Sequence, residues 1–186
     1  MKDKASLRRE LRRELAQLTP AQSAAASARI CQHLAAYLKS NIAQNIALFA
    51  ATPREPRLDA LHALLPHHRF HYPLCAAEGR MSFHHVNDPS ELQRGRHDIA
   101  APNAQSHPEI SPTELDLILC PGLAFTPQGL RLGQGGGYYD RYLPQAPQAL
   151  TLGVAFSSQI LSELPHQPHD IRLQGLVTEN TLTIFP

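Results

Sequence analysis

Residues 129–143, GLRLGQGGGYYDRYL, concentrate five glycines within nine positions, at 129, 133, 135, 136 and 137. Glycine has no side chain, so a ligand can approach the backbone closely and φ can become positive. Successive N–H groups of such a loop can converge on an anion, and the start of a following helix adds partial positive charge. The run therefore favours phosphate binding, while a tight turn before an ordinary capped helix remains an equally open interpretation.

The residues around the glycines narrow the chemistry. Arg131 offers a forked guanidinium for phosphate oxygens, and Asp140 offers a hard carboxylate of the kind that binds magnesium. A Walker P-loop is excluded because the run contains no lysine. A dinucleotide fingerprint is disfavoured because Tyr138 stands where its last glycine would fall. Arginine, carboxylate and glycine loop together indicate a nucleoside triphosphate site.

A second group of cations lies near the start of the chain. Lys4, Arg8 and Arg12 follow one another at intervals of four and form one stripe on a helix. Like charges at this spacing repel, and a bound anion would relieve the repulsion. The pattern also fits a solvated basic face, or a surface that contacts nucleic acid or another protein.

These residues must be positioned by a fold in which strands alternate with helices. Apolar residues at helical spacing and short apolar runs predict the elements. Strand 115–120 is almost continuously apolar, as in a parallel sheet covered on both faces. We therefore predict an α/β fold, a three-layer open, mostly parallel sheet with helices on both faces and a single domain spanning residues 1–186. The predicted helices are 3–17, 20–39, 58–65, a short one after the glycine loop and a turn at 160–164; the predicted strands are 45–50, 69–74 (ended by Pro73), 81–86, 115–120, 150–156 and the region 176–185.

Composition limits the alternatives. The 186 residues carry a net charge of +1, which argues against a wholesale nucleic-acid binder. No run of about 18 uncharged apolar residues predicts a membrane span, and the charged N-terminus lacks an apolar signal core. Three cysteines without close spacing predict neither a disulfide framework nor a zinc site, so a cytoplasmic location is expected. The eleven histidines are read as scattered surface residues, with His169 beside Asp170 noted as a neighbour of the carboxylates.

Residues 121–143, PGLAFTPQGLRLGQGGGYYDRYL, resemble the signature of the 5-formyltetrahydrofolate cyclo-ligase (5,10-methenyltetrahydrofolate synthetase) family. The resemblance extends over most of the chain. It includes the K-x-x-L-R pattern at 4–8, ALFAATPRE at 47–55, and GVAFSSQ, LP and HD within 153–170. The chain departs from the family pattern at Ala101, Thr126 and Ser157, where members often carry acidic or amide residues.

The resemblance implies ATP-dependent closure of 5-formyltetrahydrofolate to 5,10-methenyltetrahydrofolate, with release of ADP and phosphate through a phosphorylated formyl intermediate. It implies Mg²⁺ with ATP as cosubstrate, small-molecule partners only, no nucleic acid, no membrane and a monomer. A nucleotide- or folate-binding member without turnover is the remaining alternative.

Site residues carried over from the family pattern fall into four groups. Arg131 and Tyr138 are expected to be catalytic, with Tyr138 packing on the ligand rather than acting as an acid. Asp140 and Asp170 are expected to bind magnesium. The expected ATP contacts are Lys4, Arg8, Arg131, Leu132, Gly133, Gln134, Gly135, Gly136, Gly137, Tyr138 and Tyr139. The expected folate contacts are Arg8, Ala50, Glu55, Gln134, Gly135, Gly136, Gly137 and Tyr138.

Overall fold

A computed structural model describes residues 3–167 and 170–186 of the chain. It contains four α-helices and twelve strands within these residues, joined by short 3₁₀ turns. The helices are α1 (Lys4–Leu15), α2 (Pro20–Lys39), α3 (Ala60–Leu64) and α4 (Tyr138–Tyr142). The strands are β1 (Asn45–Ala47), β2 (Arg69–Cys75), β3 (Met81–His85), β4 (Gln93–Arg94), β5 (Ala100–Ala101), β6 (Glu109–Ile110), β7 (Leu117–Cys120), β8 (Ala124–Phe125), β9 (Arg131–Leu132), β10 (Leu150–Val154), β11 (Gly175–Val177) and β12 (Leu182–Ile184).

Local sequence signals start the first two helices. The side chain of Asp3 accepts hydrogen bonds from the N–H groups of Ala5 and Ser6, at 2.9 and 3.0 Å, and so caps α1. Thr19 and Gln22 form a reciprocal capping box at the start of α2, and Pro20 occupies the first helical position. Both helices therefore begin where their capping residues predict.

Eight strands form the central sheet in the order β12-β11-β10-β7-β1-β2-β3-β6. The five strands β11, β10, β7, β1 and β2 run parallel to one another. β12 pairs antiparallel with β11 at one edge, and β3 and β6 continue the sheet antiparallel at the other. β7 pairs with β1 on one side and β10 on the other, and all four of its side chains are buried. The predicted mostly parallel sheet is thus confirmed.

The two faces of the sheet build two apolar clusters, as alternation along a strand requires. Leu117 and Leu119 of β7 belong to the cluster that receives α1, α2 and α3. Ile118 and Cys120 belong to the opposite cluster, which receives α4. Helices therefore cover both faces, which confirms the predicted three-layer architecture.

The prediction that Pro73 ends its strand is wrong. β2 continues to Cys75, and Pro73 lies opposite Phe83 in the antiparallel pair with β3. Ala76 N–H donates to Arg80 O at 2.8 Å. Because hydrogen-bonded positions alternate along an antiparallel strand, the even-numbered residues of β2 form the hydrogen bonds with β3. The nitrogen of Pro73 consequently faces β1, which has already ended at Ala47, and no ladder hydrogen bond is lost.

Of two further predictions about the C-terminal part, one needs correction. Residues 160–164 are not helical: Ile160 bridges to Phe125, and Leu161 N–H donates to Phe125 O at 2.9 Å. Because Ile160 and Leu161 pair with Phe125 of β8 in this way, this backbone does not form the hydrogen bonds of a helical turn. The predicted strand region 176–185 is confirmed: it holds most of the antiparallel pair of β11 and β12, with a turn between Val177 and Leu182.

Candidate functional site

A cavity of about 770 Å³ opens at the carboxyl ends of the parallel strands. Phe49 and Ala50, which follow β1, and Pro121, which follows β7, line its base. Open α/β sheets usually bind ligands at this edge. Every residue that the sequence singled out for the site lines this cavity. Their chemical roles remain predictions.

The glycine loop forms one wall of the cavity. Gly135 and Gly137 have φ values of +111° and +65°, which residues with side chains rarely adopt. In the described chain, the N–H groups of residues 134–137 have no hydrogen-bond acceptor in the protein. Helix α4 has only five residues, so the anion-binding capacity of the wall comes from these peptide N–H groups rather than from a helix dipole.

The cationic stripe on α1 reaches the glycine loop across more than 120 residues of sequence. Arg8 Nε donates to Gly133 O at 2.9 Å, and Arg12 Nη2 donates to the side-chain oxygen of Gln134 at 2.9 Å. Lys4 Nζ lies 2.6 Å from Asp170 Oδ2. The stripe is therefore directed at the cavity wall, which favours the ligand interpretation over a purely solvated basic face.

Arg131 and Asp140 form a partly buried ion pair in the cavity. Arg131 Nη2 lies 2.9 Å from Asp140 Oδ1, and the two side chains are 5% and 25% exposed. Arg131 Nη1 also donates to Pro121 O at 3.3 Å, whereas its Nε is buried without a partner. In the described chain, Oδ2 of Asp140 has no hydrogen-bond partner. The ion pair thus fixes the guanidinium and Oδ1 of the carboxylate. Nε of Arg131 can still donate a hydrogen bond, and Oδ2 of Asp140 can still accept one.

The two tyrosines of the loop differ in environment. Tyr139 is 9% exposed, and burial raises the pKa of its hydroxyl well above the usual value. The guanidinium of Arg131 lies 5.3 Å from the centre of its ring. Tyr139 therefore supports Arg131 and stays protonated. Tyr138 is only half-buried and lines the cavity, so its ring is accessible to a ligand.

A buried carboxylate also belongs to the lining of the cavity. Glu55 is 7% exposed, and its Oε2 accepts a hydrogen bond from the N–H of Thr52 at 2.9 Å. Its Oε1 has no partner among the described residues. The carboxylate is therefore oriented by its own turn and can accept two donors of a ligand, such as adjacent ring and amino N–H groups.

The carboxylates Asp140 and Asp170 are the expected magnesium ligands, and both line the cavity. Residues 3–167 and 170–186 contain no cluster of three or more His, Cys, Asp or Glu side chains that could hold a metal. Magnesium often takes only one or two carboxylates and completes its octahedron with water and substrate phosphates. Asp140 and Asp170 match this pattern. Both carboxylates are ion-paired here, Asp140 with Arg131 and Asp170 with Lys4. To bind magnesium, each carboxylate would have to share its oxygens between the metal ion and this side chain, or release the side chain.

The structure adds residues that sequence reasoning missed. The hairpin of β4 and β5 is not among the predicted strands, yet its Arg96, Ile99, Ala100 and Ala101 line the cavity. No local signal marks them, because they reach the site through the packing of a short hairpin against β2. Arg12, which the sequence places in the cationic stripe but not among the expected ligand contacts, lines the cavity as well.

The departures from the family pattern fall in different places. Thr126 Oγ1 accepts the N–H of Leu130 at 3.2 Å inside the β8–β9 turn. Ser157 Oγ donates to Glu179 Oε1 at 2.6 Å, and neither Thr126 nor Ser157 lines the cavity. Of the three positions, only Ala101 can affect a ligand directly.

The histidine prediction needs a partial correction. His71, His84 and His107 are buried, at 3%, 3% and 6% exposure, rather than on the surface. His84 and His107 are held by hydrogen bonds to neighbouring backbone, and His107 also pairs with Glu91 at 3.0 Å. His169 lies outside the described residues. Cys31, Cys75 and Cys120 are free thiols. Among the described helices, none has the length and apolar character of a membrane span.

Comparison with known proteins gives a consistent result. The model of the 5-formyltetrahydrofolate cyclo-ligase family matches residues 1–179. The Escherichia coli K12 5-formyltetrahydrofolate cyclo-ligase is 34% identical over 102 residues, covering 54% of this chain and 56% of that protein. A probable 5-formyltetrahydrofolate cyclo-ligase of Caenorhabditis elegans is 39% identical over 89 residues, covering 44% and 41%. These alignments span less than two thirds of the length of the curated relatives.

Solved structures match over more of the chain. The NMR structure of Aquifex aeolicus 5,10-methenyltetrahydrofolate synthetase has a TM-score of 0.85 at 28% identity and covers 97% of this chain and 92% of its own. The Mycoplasma pneumoniae 5,10-methenyltetrahydrofolate synthetase has a TM-score of 0.80 at 24% identity, covers 96% and 99%, and supports the fold alone.

Proposed function

The chain belongs to the 5-formyltetrahydrofolate cyclo-ligase family, and we propose that it closes 5-formyltetrahydrofolate to 5,10-methenyltetrahydrofolate at the expense of ATP, releasing ADP and phosphate. The observation that carries the proposal is the juxtaposition in one cavity of a cationic stripe, a buried carboxylate and the glycine-loop N–H groups, which have no acceptor among the described residues. The stripe and the N–H groups suit a polyphosphate, and the carboxylate suits the donor edge of a pterin.

The reaction explains why ATP is needed. The oxygen of a formamide is a poor leaving group, so the formyl oxygen first attacks the γ-phosphorus and ADP leaves. The resulting imidate-like phosphate has an electrophilic carbon, which the neighbouring folate nitrogen attacks. The carbon–oxygen bond then breaks, and inorganic phosphate carries the former formyl oxygen away.

This chemistry asks the protein for positioning and charge neutralisation rather than for a nucleophile. Arg131 is fixed by Asp140 and Pro121 O at 2.9 and 3.3 Å, so its guanidinium is preorganised beside the loop. We assign it to the transferred phosphoryl group. Lys4 and Arg8 would neutralise the remaining phosphate charge, and Tyr138 would pack against the folate next to the reacting oxygen.

Magnesium belongs to the proposal as the partner of ATP. Asp140 and Asp170 would hold it, and the ion would supply neutralisation of phosphate charge. Ala50 would line the folate pocket, and Glu55 would accept hydrogen bonds from the pterin edge. The remaining loop residues, Leu132 to Tyr139, would surround the phosphates.

The test is a direct assay of the purified protein with 5-formyltetrahydrofolate and MgATP. We expect methenyl absorbance to rise in the near ultraviolet, with one ADP and one phosphate formed per methenyltetrahydrofolate. Omission of ATP should abolish the signal. ATP binding without product would contradict the enzyme assignment and support a binding protein, whereas salt-sensitive RNA binding without either activity would support the nucleic-acid alternative.

A further inference from the structure

Arg141 stands immediately after the expected magnesium ligand, but it does not line the cavity. It lies in α4, and its guanidinium joins three structural features. Its Nε donates to Gly79 O at 3.1 Å, and its Nη2 donates to Gly136 O. The guanidinium also lies 5.9 Å from the centre of the Tyr138 ring. One side chain thus contacts the glycine loop, its aromatic residue and the turn between β2 and β3.

From these contacts we propose that Arg141 is a positioning residue that orients the Gly136–Gly137 peptide for phosphate binding and fastens the glycine loop to the β2–β3 turn. The inference rests on the proposed function, because it assigns to the loop the phosphates of ATP. Arg141 acts through the backbone and Tyr138, not through contact with the substrate.

The orientation follows from peptide geometry. In a trans peptide, the carbonyl of one residue and the N–H of the next point in opposite directions. Gly136 O is bound by a side chain outside the cavity lining, whereas Gly136 and Gly137 themselves line the cavity. The N–H of Gly137 therefore points away from Arg141, on the cavity side. A charged donor holds this arrangement more firmly than water or a neutral group would.

The β2–β3 turn gives the loop a fixed support. Gly79 has a φ of +71°, and a side chain added there would overlap the guanidinium of Arg141. Tyr138 Oη reaches Ala76 O of the same turn at 3.5 Å, and Arg96 Nη1 reaches that oxygen at 3.2 Å. The turn thus accepts hydrogen bonds from Arg141, Tyr138 and Arg96, so the loop is anchored to the sheet at a point far from it in sequence.

The first test is Arg141→Gln, which removes the charge and can keep at most part of the hydrogen bonding. We expect the KM for ATP to rise about tenfold or more, as the loss of a charge-assisted hydrogen bond would produce, and the KM for 5-formyltetrahydrofolate to change less. A merely structural role would lower the amount of active protein, and so the apparent kcat, without moving the KM for ATP. Millimolar guanidinium should partly restore the KM of Arg141→Ala.

The second test reaches the same guanidinium from the other side. Gly79→Ala leaves Arg141 in the sequence but displaces its guanidinium, so it should also raise the KM for ATP. The double variant should show no further increase beyond the larger single effect, because both changes break one arrangement. Arg80→Ala is the matched control: its side chain is 76% exposed on the same turn and lies 3.9 Å from Glu78. It should leave both KM values unchanged.

The outcomes separate this inference from the proposed function. Absence of turnover in the unchanged protein would overturn the function, irrespective of Arg141. With turnover established, a wild-type KM for ATP in Arg141→Gln would overturn the inference, as would additive effects in the double variant. If Arg141→Gln fails to fold, the Gly79→Ala measurement decides alone, with a raised KM for ATP expected and an unchanged one contradicting the role.

Discussion

Replacement of Asp140 by asparagine tests whether the Arg131–Asp140 pair organises the cavity. The pair is 2.9 Å long, and its arginine side chain is only 5% exposed. At an effective dielectric constant of about 20, two unit charges at this distance attract by about 6 kcal/mol. Part of that attraction offsets the cost of removing both charges from water. The asparagine oxygen can still accept the hydrogen bond, but the buried guanidinium loses its counter-charge.

We therefore expect Asp140→Asn to lower the free energy of unfolding by about 3 kcal/mol, while the protein still folds. Urea denaturation measures the change, provided that the slope of the transition stays constant. The matched control is Asp59→Asn, which removes the negative charge from an ion pair with Arg57 of 2.7 Å whose side chains are 74% and 43% exposed. That change should cost less than about 1 kcal/mol.

The same variant has a functional prediction. Turnover should fall at least about 100-fold, because the loss affects both the orientation of Arg131 and the binding of magnesium with ATP. MgATP should raise the melting temperature of the unchanged protein and of Asp59→Asn. It should raise the melting temperature of Asp140→Asn by a much smaller amount. Equal stability of the Asp140 and Asp59 variants, or turnover near that of the unchanged protein, would refute the reasoning.

Three further predictions concern other parts of the site and the core. Glu55→Gln should raise the KM for 5-formyltetrahydrofolate about tenfold and leave the KM for ATP within about twofold, in steady-state assays that vary each substrate separately; a larger effect on ATP would contradict the pterin assignment. Lys4→Met should raise the KM for ATP about tenfold, whereas Arg13→Met, on an exposed position of the same helix, should not; equal effects would contradict a directed role of Lys4. Burial lowers the pKa of His71 from 6.5 to about 4, so the unfolded chain binds a proton between these values that the folded protein does not. Stability from this group is present above about pH 6.5 and is lost as the pH falls towards 4, by up to about 3 kcal/mol; His71→Phe should flatten this part of the pH dependence in urea denaturation, and an unchanged slope would contradict it.

The sequence predicted the parts of the fold that local signals control. Capping residues define the start of α1 and α2, and the apolar run of β7 identifies the centre of the sheet. The wall of the cavity was also predictable, because glycine content marks it directly. The placement of Lys4 and Arg8 in the same cavity as the glycine loop came from family resemblance, since nothing in their spacing indicates which distant segment they contact.

Long-range pairing explains what the sequence did not show. Pro73 is tolerated within β2 because β1 is too short to reach it, and this depends on the lengths of two separate strands. Residues 160–164 have an apolar pattern that suits a helix, but the backbone at Ile160 and Leu161 pairs with Phe125 instead. The sequence contains Arg141 within the glycine-rich motif but gives no sign of what it contacts. Its role depends on a turn more than 60 residues earlier in the chain.

The most direct test of the proposed mechanism follows the formyl oxygen. The purified protein would be given 5-formyltetrahydrofolate labelled with ¹⁸O in the formyl group together with unlabelled MgATP, and the inorganic phosphate would be examined by mass spectrometry after a single turnover. Attack of the formyl oxygen on the γ-phosphorus predicts one ¹⁸O atom in each phosphate released. Methenyltetrahydrofolate formed together with unlabelled phosphate would contradict the phosphorylated intermediate.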